Sequence, residues 1–311
     1  MISCTEFIPA YSELFKYIDN RYGYSEVQKF WAYLFEPDGK GIPLIHFVKK
    51  DGLKGAFDYW SGTLKEEAAD VTRTMNVKEG WYKSDMHYCP SKGRLLELQE
   101  ELGIEPYEHY CDHCDYYRKA LNQGGLDWIY DFTNTDRAAC SSLIYDPKVF
   151  KGIMTVDEDT VVQTYSSGTL EYYHQDFHSS MNMGTEYLGI TYGQSAIVEY
   201  LTQYTKAVYG KKLKQIKAEG LSVIRDMILD TYAKEHAPEA VETVMTGDRL
   251  DVTVHWCPAV RHLRNTNREV SQWYPLTTSV VMRVLAEECG FGFEMGEYDA
   301  QTGKTSYSFT K

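Results

Sequence analysis

The sequence predicts an α+β protein made as a tandem pair, each half with helices packed on one face of a small antiparallel sheet. Three observations carry this. Met86-His87-Tyr88-Cys89-Pro90 recurs 168 residues later as Val254-His255-Trp256-Cys257-Pro258. The match extends in both directions with small shifts of register: Tyr22-Gly23, Val27, Trp31 and Leu34 meet Tyr192-Gly193, Ile197, Leu201 and Tyr204, and Gly125 meets Gly290. Within each half, helical stripes precede a segment of strict alternation. A period this long marks a pair of domains, because solenoid repeats run roughly 20 to 50 residues. The division falls between residues 1–150, which hold a cysteine cluster, and residues 151–311, which lack most of those cysteines.

The elements follow in order. Val27, Phe30, Trp31 and Leu34 share one helical face, as do Ile197, Leu201, Tyr204 and Val208. Gly52 and Gly220 precede a second stripe, Leu53, Phe57, Trp60 and Leu64 in one half and Leu221, Ile224, Ile228 and Tyr232 in the other. Leu250, Val252, Val254 and Trp256 then alternate with polar neighbours, and Tyr82, Ser84, Met86 and Tyr88 form the weaker first version. This alternation sets His87 with Cys89, and His255 with Cys257, on one face. Pro90 and Pro258 end the strands and suit helix starts. Further helices are expected near 91–102, 112–121 and 271–288. Each half closes with a hairpin, Leu126 to Thr133 with Ala139 to Tyr145, and Phe291 to Tyr298 with Thr305 to Phe309 around Gly303. Gly152 to Thr169 reads as two short strands around Asp157-Glu158-Asp159.

Composition narrows the function classes. The chain has 311 residues, is 43% hydrophobic and carries a net charge of −13, with basic runs no longer than Lys49-Lys50 and Lys211-Lys212. That weighs against nucleic acid or an anionic membrane as partner, since phosphate binding needs clustered Lys and Arg. No segment reaches the ~18 to 20 apolar residues of a membrane span. Seven cysteines, with no basic or apolar leader at Met1-Ile2-Ser3-Cys4-Thr5-Glu6, read as reduced thiols of a cytoplasmic protein. Twenty-six tyrosines suit either polar-lined cavities or aromatic-rich cores. A small-molecule ligand is the expected partner, and a homodimer stays open.

Two constellations carry chemistry. Cys89, Cys111, Cys114 and Cys140 are the metal candidates, with zinc or another divalent metal as cofactor, because four thiolates close a tetrahedral site. His87 or His113 could replace one thiolate. The same cysteines could instead be small buried hydrophobes, or Cys111 and Cys114 a redox pair. In the second half Cys111, His113, Cys114 and Cys140 are replaced by Pro275, Thr277, Thr278 and Thr305, so any metal is expected in the first half. The second constellation is His178, Tyr204, Glu235, Cys257 and Tyr274, read as substrate-binding walls, with His174 and His178 one helical turn apart. His255 and His262 belong to the same group of candidates. The alternative is a buried polar network under an aromatic core.

Residues Cys89 to Tyr145 carry a Cys after a strand, Leu102-Gly103 near a helix end, a Cys-plus-Asp pair and Cys140-Ser141-Ser142-Leu143 opening the last strand. This stretch resembles the L-2-amino-thiazoline-4-carboxylic acid hydrolase family and is similar to 4-vinyl reductase-type small-molecule-binding domains. The resemblance implies functional positions at Cys89, Cys111 or Cys114, Asp112 or Asp115, and Cys140. It implies hydrolytic opening of a small polar cyclic amidine or amide by a metal-activated water. Asp115 and His113 are the catalytic candidates of this stretch. The chain departs from that pattern in being doubled, with only Cys257 of these cysteines kept in the second half. A non-catalytic small-molecule or metal sensor with a structural zinc site is the rival reading, and a thiol-redox protein the third.

Overall fold

The computed structural model describes residues 1–36 and 43–311. Along the chain run α1 (Phe7–Tyr22), α2 (Tyr24–Leu34), α3 (Leu44–Glu66), β1 (Asp70–Asn76), β2 (Trp81–Tyr88), α4 (Pro90–Leu102), α5 (Tyr117–Gln123), β3 (Asp127–Asp131), β4 (Cys140–Tyr145) and β5 (Val161–Tyr165). Then come α6 (Phe177–Tyr192), α7 (Gln194–Val208), α8 (Gly210–Glu219), α9 (Leu221–Lys234), β6 (Val241–Thr246), β7 (Arg249–Val254), α10 (Pro258–Asn265), α11 (Leu276–Cys289), β8 (Gly292–Met295) and β9 (Thr305–Thr310). The class is α+β, with two separate antiparallel sheets.

The chain forms two compact units. One, here the C-unit, is Met1–Arg21, Leu102–Ile104 and Gln175–Lys311; the other, the M-unit, is Tyr22–Glu101 with Glu105–His174. Their bounds differ from a cut near residue 150, because α1 packs with the later helices. Within the C-unit Phe7 stacks on Phe177 at 4.5 Å between ring centroids, and the Tyr200 hydroxyl donates to the Ala10 carbonyl at 2.8 Å.

The M-unit sheet has the order β3-β4-β2-β1-β5 and the C-unit sheet the order β8-β9-β7-β6. The second order repeats the first without its fifth strand. Backbone conformations repeat as well. Gly23 and Gly193 have φ of 92° and 86°, and Gly52 and Gly220 have φ of 56° and 84°. Glycine is needed there, since a side chain would be strained at positive φ. Gly52 breaks α3 in mid-course, where the C-unit has the separate helices α8 and α9.

The M-unit core is Leu44, Ile45, Val48, Leu53, Phe57, Met75, Tyr82, Leu121, Trp128 and Ile144 with their neighbours. Arg73 is wholly buried beneath it. Its Nε donates to the Tyr82 hydroxyl at 2.9 Å and its Nη1 to Ser61 Oγ at 2.6 Å and Gln163 Oε1 at 2.5 Å, and Nη2 bonds the Phe57 carbonyl.

Three expectations change. The helix near 112–121 is a 3-10 turn over Tyr110–Tyr116 followed by the short α5. The strand written as Leu250 to Trp256 ends at Val254, because the Cys257 amide turns away to the Thr302 carbonyl at 2.8 Å; His255 and Cys257 therefore do not share a strand face. Gly152 to Thr169 holds one strand, β5, which pairs with β1 and not with a hairpin mate.

Candidate functional site

The C-unit brings three buried donors together. Cys4 opens a short 3-10 turn (Cys4–Glu6) capped by Ser3, whose hydroxyl accepts from the Thr5 amide. His178 lies in the first turn of α6. Glu235 caps the end of α9. That helix closes with His236 in the left-handed region at φ 53°, the Ala237 amide reaching back to the Tyr232 carbonyl at 2.9 Å. This is the Schellman arrangement, and it turns the Glu235 side chain inward. One ligand atom from each of Cys4, His178 and Glu235 lies within 4.8 Å of the others. Their relative exposures are 1%, 1% and 2%.

The carboxylate organises the group. The Cys4 amide donates to Glu235 Oε1 at 2.6 Å, and His178 Nε2 lies 2.9 Å from Oε2. Burial alone would raise the Glu235 carboxyl; the charge of His178 and bonds from His178, the Cys4 amide and Ser3 overcome it and hold it down to about 2. Glu235 is thus an anion at neutral pH.

Tyrosines and a second thiol surround this core. Cys257 is buried before α10, its Sγ 3.3 Å from Met1 Sδ, and burial pushes its thiol up. The Tyr274 phenol is buried, and its hydroxyl has no hydrogen-bond partner among the described residues. Burial raises it far above its ordinary value, with Cys257, Tyr298, Glu235 and Cys4 as the charges that reinforce the shift. Burial likewise raises Tyr232, with Tyr307, Cys257, Tyr298 and Glu235 adding to the effect. An unpaired buried hydroxyl costs about 1–3 kcal/mol, and the Tyr274 hydroxyl is one such group.

Of the second-half candidates, His178 and Glu235 are bonded to each other here, and Cys257 and Tyr274 are near enough for the Glu235 charge to act on them. Tyr204 is not among them. It is buried in another group, with Tyr209 at 5.9 Å between centroids and with Glu6, which accepts from the Tyr209 hydroxyl at 2.8 Å. His255 points to Glu242 at 3.4 Å with 40% of its side chain exposed, and His262 Nε2 is 3.3 Å from Asp176 Oδ1. His174 Nδ1 lies 2.6 Å from Glu66 Oε2 in the M-unit.

The first-half candidates gather in the M-unit but more loosely. Cys89 follows β2, its amide bonded to the Ala138 carbonyl, and Cys140 opens β4 opposite Met86. Cys111 and Cys114 lie on the 3-10 turn. Among the described residues, no three of these sulfurs come within 4.8 Å of one another. Burial raises all four thiols, Cys89 to about 12 and Cys140 to about 11. A redox pair uses the opposite shift. His113 donates through Nδ1 to the Tyr110 carbonyl, and burial lowers its imidazole to about 4. Asp115 is 52% exposed and ion-paired with Arg118 at 2.6 Å. His113 and Asp115 thus face different surroundings, one half-buried against Tyr110 and one in solvent.

Cys4 escaped the sequence reading, where its segment served only as evidence about a leader. A signal existed: the offset that aligns Tyr22-Gly23 with Tyr192-Gly193 sets Cys4 against His174, a residue already singled out.

Cys4, His178 and Glu235 supply sulfur, nitrogen and oxygen, a set that suits zinc and its neighbours. Donors on one tetrahedral zinc stand about 3.5 Å apart, against a spacing of up to 4.8 Å here. Comparison with protein-family models, with curated proteins and with solved structures gives no match for this chain. No helix of the described residues is long and apolar enough to cross a membrane.

Proposed function

We propose that the C-unit binds a divalent transition metal, zinc in the first instance, through Cys4, His178 and Glu235, and that this centre serves a hydrolase-like reaction on a small polar cyclic substrate. The observation that carries the metal reading is the convergence of three buried donors around one carboxylate. The hydrolytic part rests on coordination number, since the family resemblance covers Cys89 to Tyr145 and none of these three residues. Three protein ligands leave a tetrahedral metal one open position, the arrangement of catalytic zinc, where the metal supplies Lewis acidity and activates water. Metal binding through His178 Nε2 would replace its bond to Glu235 Oε2, and the unpartnered Tyr274 hydroxyl is available to donate to a substrate oxygen or nitrogen. Cys4 and His178 must lose protons to bind, so affinity rises with pH. The same three donors could also form a sensor or structural site without turnover.

The test is metal analysis of protein incubated with zinc and dialysed. Wild type should retain one equivalent. Cys4→Ser and His178→Ala should lose it, while Cys111→Ser with Cys114→Ser should keep it. Retention by the first pair, or loss by the second, refutes this placement. Ring opening of a cyclic amidine by zinc-loaded but not chelated protein supports the enzyme; stoichiometric zinc without turnover favours the sensor.

A further inference from the structure

We infer that the outer edge of β6 is a docking edge for a second copy of this chain, which pairs β6 antiparallel with β6 into one continuous sheet. The inference is independent of the metal reading. It begins with the two strand orders. β1 and β6 occupy the same place, each paired antiparallel with the next strand. Val71 stands opposite Met86 as Val241 stands opposite Val254, so Met75 and Met245 are counterparts. In the M-unit β5 covers the outer edge of β1, with Val71 opposite Tyr165 and Met75 opposite Val161. Met75 is 4% exposed. Among the described residues, β6 has no such neighbour. Met245 is 42% exposed and the adjacent Val244 59%.

An open edge is a template for another strand, and proteins guard it with charge, proline or shortness. β6 has none of these guards beyond one carboxylate, Glu242, in Val241–Thr246. The edge at the other side of the same sheet, β8, is only four residues long and carries Glu294. A strand that pairs with β6 must be extended, apolar in part and free of facing carboxylates. β6 itself meets that description. A two-fold axis normal to the sheet at Thr243 keeps the core faces on one side. It sets Val241 against Met245 and Glu242 against Val244, so no carboxylate meets a carboxylate. Such an isologous contact closes on itself and gives a dimer and not a fibre.

The test is the solution mass of the full chain by light scattering, with Val244→Glu on β6, which sets a carboxylate opposite Glu242 of the second copy, and Val162→Glu on β5 as the matched control. Both side chains are exposed, so both variants should keep wild-type circular dichroism. Wild type should be a dimer, Val244→Glu a monomer and Val162→Glu a dimer. A monomeric wild type, a dimer that survives Val244→Glu, or a dimer broken by Val162→Glu alone overturns the inference.

Discussion

The Glu235 carboxylate gives the sharpest test of the buried site. Replacing it by Gln keeps the shape and an oxygen acceptor for the Cys4 amide, but strands His178 without its counter-charge. The carboxyl falls from an ordinary 4.5 to about 2 in the folded protein. At about 1.36 kcal/mol for each tenfold change in proton affinity, that is worth about 3 kcal/mol. Breaking a buried ion pair by removing one partner costs a similar ~3–5 kcal/mol. The sign follows from the lowered value. The contribution is complete above pH 4.5, fades as pH falls, and is gone once pH passes through about 2. Urea unfolding of the C-unit transition, followed by circular dichroism, should show Glu235→Gln weaker by about 3 kcal/mol at neutral pH and by only about 1.5 kcal/mol near pH 3. A deficit below about 1 kcal/mol at neutral pH, or one that does not shrink with acid, refutes the ionised, charge-paired Glu235 described above.

Three further outcomes follow from particular contacts. Gly303 has φ 71°, and a Cβ there would stand 2.3 Å from the Cys257 Cβ, so Gly303→Ala should cost at least ~1–3 kcal/mol in thermal unfolding and an unchanged Tm would contradict the packing. Arg73→Leu removes the donor that satisfies Tyr82, Ser61, Gln163 and the Phe57 carbonyl, and should destabilise the M-unit by roughly 3–5 kcal/mol in denaturant; a loss under about 1 kcal/mol would show that the buried guanidinium is dispensable. Burial raises Cys114 well above its ordinary value, so iodoacetamide should label it far more slowly in native than in unfolded protein at neutral pH, and rapid native labelling would revive the redox reading.

The α+β class was legible because its signals are local. Val27, Trp31 and Leu34 repeat at helical spacing, Leu250, Val252 and Val254 at strand spacing, and both are buried as the periodicity requires. The end of β7 was not legible, because a carbonyl at Thr302, far along the chain, captures the Cys257 amide. The candidate site was half legible. His178, Glu235, Cys257 and Tyr274 were named as one set, but nothing local ties them to Cys4. That contact joins residues 4 and 235, and no periodicity reports a pairing of such span. Tyr204 was placed with the set because it is aromatic and aligned, yet a helix face decides its neighbours, and that face turns to Tyr209.

The two inward glutamates argue that the asymmetry of the halves lies in their charges and not in their backbones. Glu67 and Glu235 both cap a helix that ends with a left-handed residue, Ala68 at φ 53° and His236 at φ 53°. The backbone therefore delivers a carboxyl inward in each unit. Burial then raises Glu67, with Glu66 adding to it and His174 and Ser91 only partly opposing, whereas Glu235 is held down to about 2. The difference comes from what surrounds each carboxyl. Glu235 has a histidine at 2.9 Å and an amide at 2.6 Å. His174 bonds Glu66 and so leaves Glu67 without an equivalent partner at short range. A metal favours a site whose carboxylate is already ionised, since it then displaces fewer protons. In the M-unit Cys114 is the cysteine that feels the Glu67 carboxyl, and that carboxyl is pushed towards its neutral form. Of the two glutamates, the one held ionised is Glu235, which bonds His178 and the Cys4 amide in the C-unit. On that ground the metal proposed above is assigned to the C-unit, despite the greater number of cysteines in the other.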